Sequence, residues 1–478
     1  MHRFLEIHNL FNINKSEETL KRIIILTIIA CFFGCNTQNS SKNYQLGKIA
    51  KEFKSNGNLL IETALNDTSA FSRLAEMCDT FGPRFSGSDN LEKALDWILE
   101  EMKADGLDNV HSEDVMVPKW IRGEESAQML SPWEKELDML GLGGSIGTGP
   151  NGITSDVMVV NSFEDLDNRS TEAKGKIVLF NVPFTTYGQT VQYRSGGAIA
   201  ASKAGAIASI VRSVGPFSMN TPHTGGMRYE DGVAKIPHAA ITVEDAAMIA
   251  RMTNRGQSVK IKLYMEGKFA PDALSRNVMG EITGSEFPNE VIVLGGHIDS
   301  WDVGQGAMDD GGGCVAAWQA VKMIKDLGLR PKRTIRVVLW TNEENGLRGG
   351  NAYRDAHLDE LDDHILAMES DAGVFKPSGF GFTGSDEAMT ILQDIGSLLY
   401  PIDSGKITKG GGGADIGPIM KEGVPGMGLT VDGTKYFWYH HTNADTWDKL
   451  DLGEFNQCVA TMATMAYVVA DMEQRLPR

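Results

Sequence analysis

The sequence predicts an α/β protein whose main domain is a largely parallel sheet covered by helices on both faces. Three observations carry that expectation. From about residue 273 a strand, loop, helix pattern repeats. Its strands are near-continuous apolar runs, as in sheets buried on both sides. Potential metal ligands and acid–base groups follow the ends of those runs, where open α/β sheets gather their ligands.

Each element has a local reason. Residues 36 to about 55 read as a tether leading into a first helix. Residues 88–105 form the clearest helix: Leu91, Leu95, Ile98 and Met102 share one stripe, while Glu92, Lys93, Glu100 and Glu101 take other faces. Ser88 or Asp89 can cap its start, and Gly106 can end it. A strand around Val115, Met116 and Val117 follows, closed by Pro118. From about 120 to 272 the apolar runs shorten to 156–160, 176–180 and 258–263, around an Ala/Gly-rich helix at 196–206 and the run 207–211. This stretch reads as a small mixed α/β domain. His111 precedes it, and His223 and His238 lie within it; a lone loop histidine is ordinarily solvated. The second half supplies strands at 290–295, 333–341, 365–370 and 426–430, with helices at 313–327 and 454–473.

A chain of 478 residues exceeds one ordinary core, so two domains plus a leader are expected. Hydrophobic content of 42% and charged content of 23% belong to a soluble globular chain. A net charge of -18 argues against nucleic acid or an anionic membrane surface as partner, and it favours cations near the surface.

Lys15, Lys21 and Arg22 precede an apolar run from Ile23 that ends at Gly34-Cys35. The run is too short to span a bilayer and ends at small residues, as an export signal does. The polar segment after Cys35 resembles the start of a bacterial lipoprotein, with Cys35 as the lipid anchor. Cys31 is the alternative: Ile28-Ile29-Ala30-Cys31 fits the lipobox better but leaves a shorter apolar core. The three cysteines that remain, Cys78, Cys314 and Cys458, form no disulfide framework and read as small buried apolar residues.

Singly, His297-Ile298-Asp299, Asp309-Asp310, Glu343-Glu344, Asp371 and His440-His441 are weak signals, because carboxylates mostly stay exposed. Their positions strengthen them. Glu343, Glu344 and Asp371 directly follow runs that should be buried, and a charge at the edge of a core needs a partner or a metal. The segments 295–302, 306–313, 341–346, 369–373 and 440–442 together resemble the co-catalytic di-zinc exopeptidases, and within them the carboxypeptidase Q type. The likeness runs from about residue 65 to the C-terminus.

That resemblance implies a set of roles. Asp309 bridges two zinc ions; His297 and Asp371 complete one site, Glu344 and His441 the other. A shared carboxylate suits two ions roughly 3.5–4 Å apart with a bridging water. Glu343 is the general base. Asp299 steadies the His297 ring through its second nitrogen, and Asp445 does the same for His441. A cis peptide joins Asp309 to Asp310. His440 contacts substrate or packs. The glycines at 410–413 form a backbone nest or a flexible loop, and Tyr436 to Tyr439 line a pocket or pack locally.

The implied organisation is an export signal at 1–35, tether and first helix at 36–64, and a doubly wound catalytic domain at 65–119 and 273–478. An insert at 120–272 resembles the protease-associated domain. The implied function is that of an exported, envelope-anchored or secreted di-zinc exopeptidase acting on dipeptides or short peptides with free termini, in a homodimer. The alternatives are an aminopeptidase on longer peptides, a non-catalytic binding module, and a single-zinc aminoacyl cyclase.

Overall fold

The computed structural model describes residues 45–478. The export signal, Cys31, Cys35 and the first part of the tether, 36–44, lie outside the described residues. Among the described residues no helix is long and apolar enough to cross a membrane.

After a short helix, Lys48–Glu52, come α1 (Lys54–Leu65), α2 (Ser69–Phe81) and α3 (Asp89–Ala104). Local chemistry sets the bounds of α3. Ser88 Oγ accepts from the Leu91 amide at 3.2 Å. Gly106 then takes a φ of 72°, which a side chain would resist. The stripe Leu91, Leu95, Ile98 and Met102 is fully buried. Strand β1 (Asp108–Ile121) is longer than its apolar triplet suggests. Pro118 does not stop it, because β1 is an edge strand whose pairing slips between Val117 and Lys119. A proline there removes no necessary ladder bond.

The chain next builds a sheet of its own from β2 (Glu125–Ser131), β3 (Lys135–Leu137), β4 (Met139–Gly141), β5 (Ile153–Val160), β6 (Ile177–Phe180), β7 (Ala208–Arg212), β8 (His238–Ile241) and β9 (Lys260–Met265). Their spatial order is β3-β2-β9-β5-β6-β7-β8-β4. The run β5-β6-β7-β8 is parallel and the flanking pairs are antiparallel. Ile177, Leu179, Ile210 and Ile261 fill one face. Val178, Phe180 and Val211 fill the other, against Ala198 and Ala201 of α4 (Tyr187–Lys203). Leu46–Arg478 nevertheless forms one compact unit.

The principal sheet adds β10 (Lys268–Ile282), β11 (Phe287–His297), β12 (Arg333–Trp340), β13 (His364–Glu369), β14 (Pro377–Thr383), β15 (Lys406–Lys409) and β16 (Gly426–Val431). Its order is β1-β10-β12-β11-β13-β16-β14-β15. The centre, β12-β11-β13-β16, is parallel; β1-β10-β12 and β16-β14 pair antiparallel. Ile292, Leu294, Ile335, Val337 and Leu339 share a core with α5 (Gly312–Asp326) and α7 (Leu452–Asp471). Val291, Val293, Val338 and Trp340 face the other way, toward Tyr353 of α6 (Arg348–Ala356), Ile416 and Ile419. Burial on both faces is what makes β12 buried at every position. Each such aliphatic side chain contributes roughly 1.5–3 kcal/mol by leaving water.

Candidate metal centre

His297 ends β11, Glu343 and Glu344 follow the end of β12, and Asp371 follows β13. These are neighbouring parallel strands, so three ligand-bearing ends converge. Asp309 comes from the turn that opens α5. His441 follows the short helix Tyr436–Tyr439 and has a φ of 60°.

Asp309 occupies the centre and faces two ways. Its Oδ1 lies 3.3 Å from His297 Nε2. Its Oδ2 lies 3.3 Å from His441 Nε2. Asp371 Oδ1 reaches His297 Nε2 at 3.2 Å, and Glu344 Oε2 reaches His441 Nε2 at 3.1 Å. The expected residues therefore fall into two sets that share one carboxylate. The Asp309-Asp310 peptide is cis. His440 stacks on His441 with ring centroids 3.5 Å apart, and its Nε2 lies 3.7 Å from Asp309 Oδ2.

Two supporting contacts differ from expectation. The His297 Nδ1 partner is the backbone carbonyl of Asp299, at 2.9 Å; the Asp299 carboxylate is 3.9 Å away. That carboxylate instead accepts from the amides of Glu343 at 3.0 Å and Glu344 at 3.4 Å, and from Ser86 Oγ at 3.1 Å. Two residues beyond a strand end, it lies where it can fix the adjoining strand's turn. Asp445 does not touch His441 through its side chain. It accepts from the amides of Ala307 (3.1 Å), Met308 (2.7 Å) and Asp309 (3.2 Å), and so sets the turn that presents Asp309.

Sequence reasoning missed several contributors. Buried Arg84 donates to the carbonyls of Gly82, Ile298, Gln305 and Gly306, binding together the loops on either side of the centre. Glu369 accepts from Ala414 and Ile416 amides at 2.8 Å each. The glycine loop therefore cradles a protein carboxylate, and a Cβ at Gly413 would meet Glu369 Cδ at 2.0 Å. The second sheet also reaches the centre. The Thr224 amide donates to the His441 carbonyl at 2.9 Å, and Arg122 joins Thr224 to Asp302. His223 and His238 are buried rather than solvated. His238 bonds Ser209 and is structural, whereas His223 adjoins His440 and His441. Phe437 stacks on Tyr187, and Trp438 on Phe217, so the aromatic run packs across to the second sheet.

A model of Peptidase family M28 matches residues 277–466. Carboxypeptidase Q of Bos taurus is 52% identical over 409 residues, covering 86% of this chain and 87% of the relative. The chain belongs to peptidase family M28. Carboxypeptidase Q of Xenopus laevis is 47% identical across 96% of this chain and 100% of its own. The crystal structure of a Peptidase M28 precursor from Shewanella amazonensis SB2B superposes with a TM-score of 0.86 at 35% identity, covering 90% of this chain and 99% of that one. The zinc aminopeptidase BSAP from Bacillus subtilis shares the fold, with a TM-score of 0.63 at 20% identity over 85% and 95% of the two chains. Membership in M28 and the carboxypeptidase Q relatives make the chain a zinc metallopeptidase.

The M28 centre of this chain fits cations on its own geometry. The buried atoms Glu344 Oε1 and His441 Nδ1 have no hydrogen-bond partner. Asp309 Oδ2, 3.3 Å from His441 Nε2, is likewise without a hydrogen-bond partner. His297, Asp309 and Asp371 bring ligand atoms within 4.8 Å of one another, and so do Asp309, His440 and His441. Imidazole and carboxylate donors suit zinc. Among the protein groups alone, burial opposes charge on His441, but Glu344 and Asp309 push it up to about 10. Burial likewise opposes charge on His297, yet Asp371 and Asp309 raise it well above the usual range. Burial pushes Glu344 up to about 7, with His441 opposing and Asp309 adding to the shift. Imidazoles so strongly paired must give up protons to a metal, which couples binding to pH.

Proposed function

We propose that this M28 protein is an exported di-zinc exopeptidase that hydrolyses dipeptides or short peptides with free termini. The observation that carries the reading is the Asp309 carboxylate, with one oxygen toward His297 and the other toward His441. His297, Asp371 and Asp309 would hold one zinc; Glu344, His441 and Asp309 would hold the other. When bound, the ions polarise the scissile carbonyl and make water acidic enough to attack near neutral pH.

The chain's own groups manage the protons. Glu343 accepts a proton from the attacking water and returns it to the leaving nitrogen. Burial, then Asp371 and Glu344, hold its carboxyl well above the usual carboxylate range, with His297 opposing. A raised value suits a group that must both take and give a proton. Asp299 accepts a hydrogen bond from the Glu343 amide at 3.0 Å, which holds the backbone that carries the base.

The sheet of β2 to β9, within 120–272, is read as a protease-associated insert. Cys35 is read as the lipid anchor, and a homodimer as the assembly. An aminopeptidase acting on longer peptides is the second reading; the probable leucine aminopeptidase 2 of Aspergillus oryzae, 26% identical over 369 residues, 72% of this chain and 68% of its own, favours it. A panel of free, amino-blocked and longer peptides, assayed with zinc-loaded protein, separates the two. Rapid zinc-dependent cleavage of free dipeptides supports the first reading. Cleavage confined to longer peptides overturns it.

A further inference from the structure

A histidine that holds a metal usually has its second ring nitrogen fixed by a carboxylate, a carbonyl or water. His297 follows that rule through the Asp299 carbonyl. His441 departs from it: its Nδ1 is buried and has no hydrogen-bond partner. Its backbone is also strained. A φ of 60° is a conformation that a residue with a side chain keeps only where its surroundings enforce it. Other contacts must therefore hold this ring in place.

Two contacts reach His441 from the second sheet and the loop after β11. The Thr224 amide donates to the His441 carbonyl at 2.9 Å. Trp301, 2% exposed, packs on the His441 ring with centroids 5.5 Å apart. The indole is seated against Gly143, where a Cβ would meet it at 2.1 Å.

One side chain anchors both contacts. Arg122 lies between β1 and β2, where the chain crosses from the principal sheet to the second. Its Nε and Nη2 donate to the two carboxylate oxygens of Asp302, the residue after Trp301, at 2.8 and 2.5 Å. Nη2 also donates to Thr224 Oγ1 at 3.3 Å, and Nη1 donates to the Gly141 carbonyl at 2.5 Å and to Glu125 at 3.3 Å. The Thr224 hydroxyl accepts from Arg122 and donates to that same Gly141 carbonyl at 2.8 Å, which fixes its rotor. A planar guanidinium serves these partners together, and a single ammonium cannot.

We propose that Arg122 is a positioning residue for His441, through which the second sheet sets the zinc affinity of the Glu344–His441 site. This rests on the di-zinc reading above and adds to it the residue that holds one ligand in register. Arg122 touches neither metal ligand itself. It acts through Thr224 on the His441 backbone and through Asp302 on the indole that packs against the ring.

The test is stepwise zinc removal by a chelator of known affinity, with unfolding of the metal-free protein measured beside it. The variants are Arg122→Lys, Asp302→Asn and, as a control, Arg333→Lys, which alters a buried ion pair with Glu290 far along the chain from any ligand. In Arg122→Lys one zinc should be held about 10–100-fold more weakly, the range for groups that orient metal ligands, while the other keeps its wild-type affinity. The weakened step should be the one that Glu344→Gln also weakens. Asp302→Asn, which leaves the arginine in place, should shift the same step in the same direction. Arg333→Lys should lower stability and leave both affinities unchanged. Wild-type affinity at both sites in Arg122→Lys and Asp302→Asn overturns the positioning role and leaves the di-zinc reading standing, as does an equal fall at both sites. A wild type that binds a single zinc overturns the di-zinc reading and this role with it.

Discussion

Replacing Asp445 with Asn tests how the Asp309 turn is held. The carboxylate accepts three amides in succession, from Ala307, Met308 and Asp309. An Asn carbonyl placed at Oδ1 keeps the first two. Its NH2 then faces the Asp309 amide, a donor against a donor. One charge-assisted hydrogen bond is lost, roughly 1.5–3 kcal/mol, and the remaining two become neutral and weaker. Burial pushes the Asp445 carboxyl up to about 7, with the Met308 amide opposing and Asp309 adding. The ionised form is thus incompletely populated near neutrality, and the lower end of the range, about 2 kcal/mol, is the fitting figure. The same change loosens the residue that both ions would share, so zinc affinity should fall about 10–100-fold, as for other groups that orient metal ligands. Competition with a chelator of known zinc affinity measures that fall, and unfolding of metal-free protein measures the stability. An Asp445→Asn protein with wild-type zinc affinity would refute the role given to this carboxylate.

Three further changes have defined outcomes. Asp309→Ala should lose both zinc and turnover, whereas a variant holding two zincs with normal turnover contradicts the bridge. Burial pushes His238 down to about 4, with Ser209 and Tyr193 opposing, so below about pH 6.5 the unfolded chain binds a proton that the folded chain refuses, and stability falls as pH drops toward 4. His238→Gln should flatten that slope by up to about 1.4 kcal/mol per pH unit; an unchanged acid slope in urea unfolding counts against it. Cys35→Ser should release the protein from membranes or leave its signal uncleaved, and labelled lipid still attached to the variant would move the anchor to Cys31.

Much of the centre was legible because its ligands follow the strongest sequence signals in the chain. β11, β12 and β13 each carry a buried, mostly apolar run whose end stands out; His297 closes the first, and Glu343, Glu344 and Asp371 come just after the other two. β14 had no such signal. Its residues, Pro377–Thr383, carry two glycines, and its packing comes from pairing with β16 far along the chain. Pro118 marked a strand end by its chemistry, but an edge bulge absorbed it. The supporting residues were hidden for a different reason. Asp299 and Asp445 act on backbone amides 44 and 136 to 138 residues away, and nothing local distinguishes such a carboxylate from a solvated one. Tyr187, Arg194 and His223 reach the centre from another sheet. Only the tertiary fold makes them neighbours of His440.

The central claim is a division of labour between adjacent glutamates, and zinc stoichiometry measured beside turnover tests it most directly. Glu344 lies 3.1 Å from His441 Nε2, as a ligand should, while the Glu343 carboxyl makes no such contact and feels the charges of His297 and Asp371. Glu343→Gln keeps shape and removes basicity, so it should retain two zincs per chain while turnover falls about 10²–10⁴-fold, the usual share of a positioned acid–base group. Glu344→Gln should instead lose zinc from one site, with activity partly restored by excess metal. A Glu343→Gln protein that loses zinc, beside a Glu344→Gln protein that keeps both ions, would contradict the account and reverse the two roles.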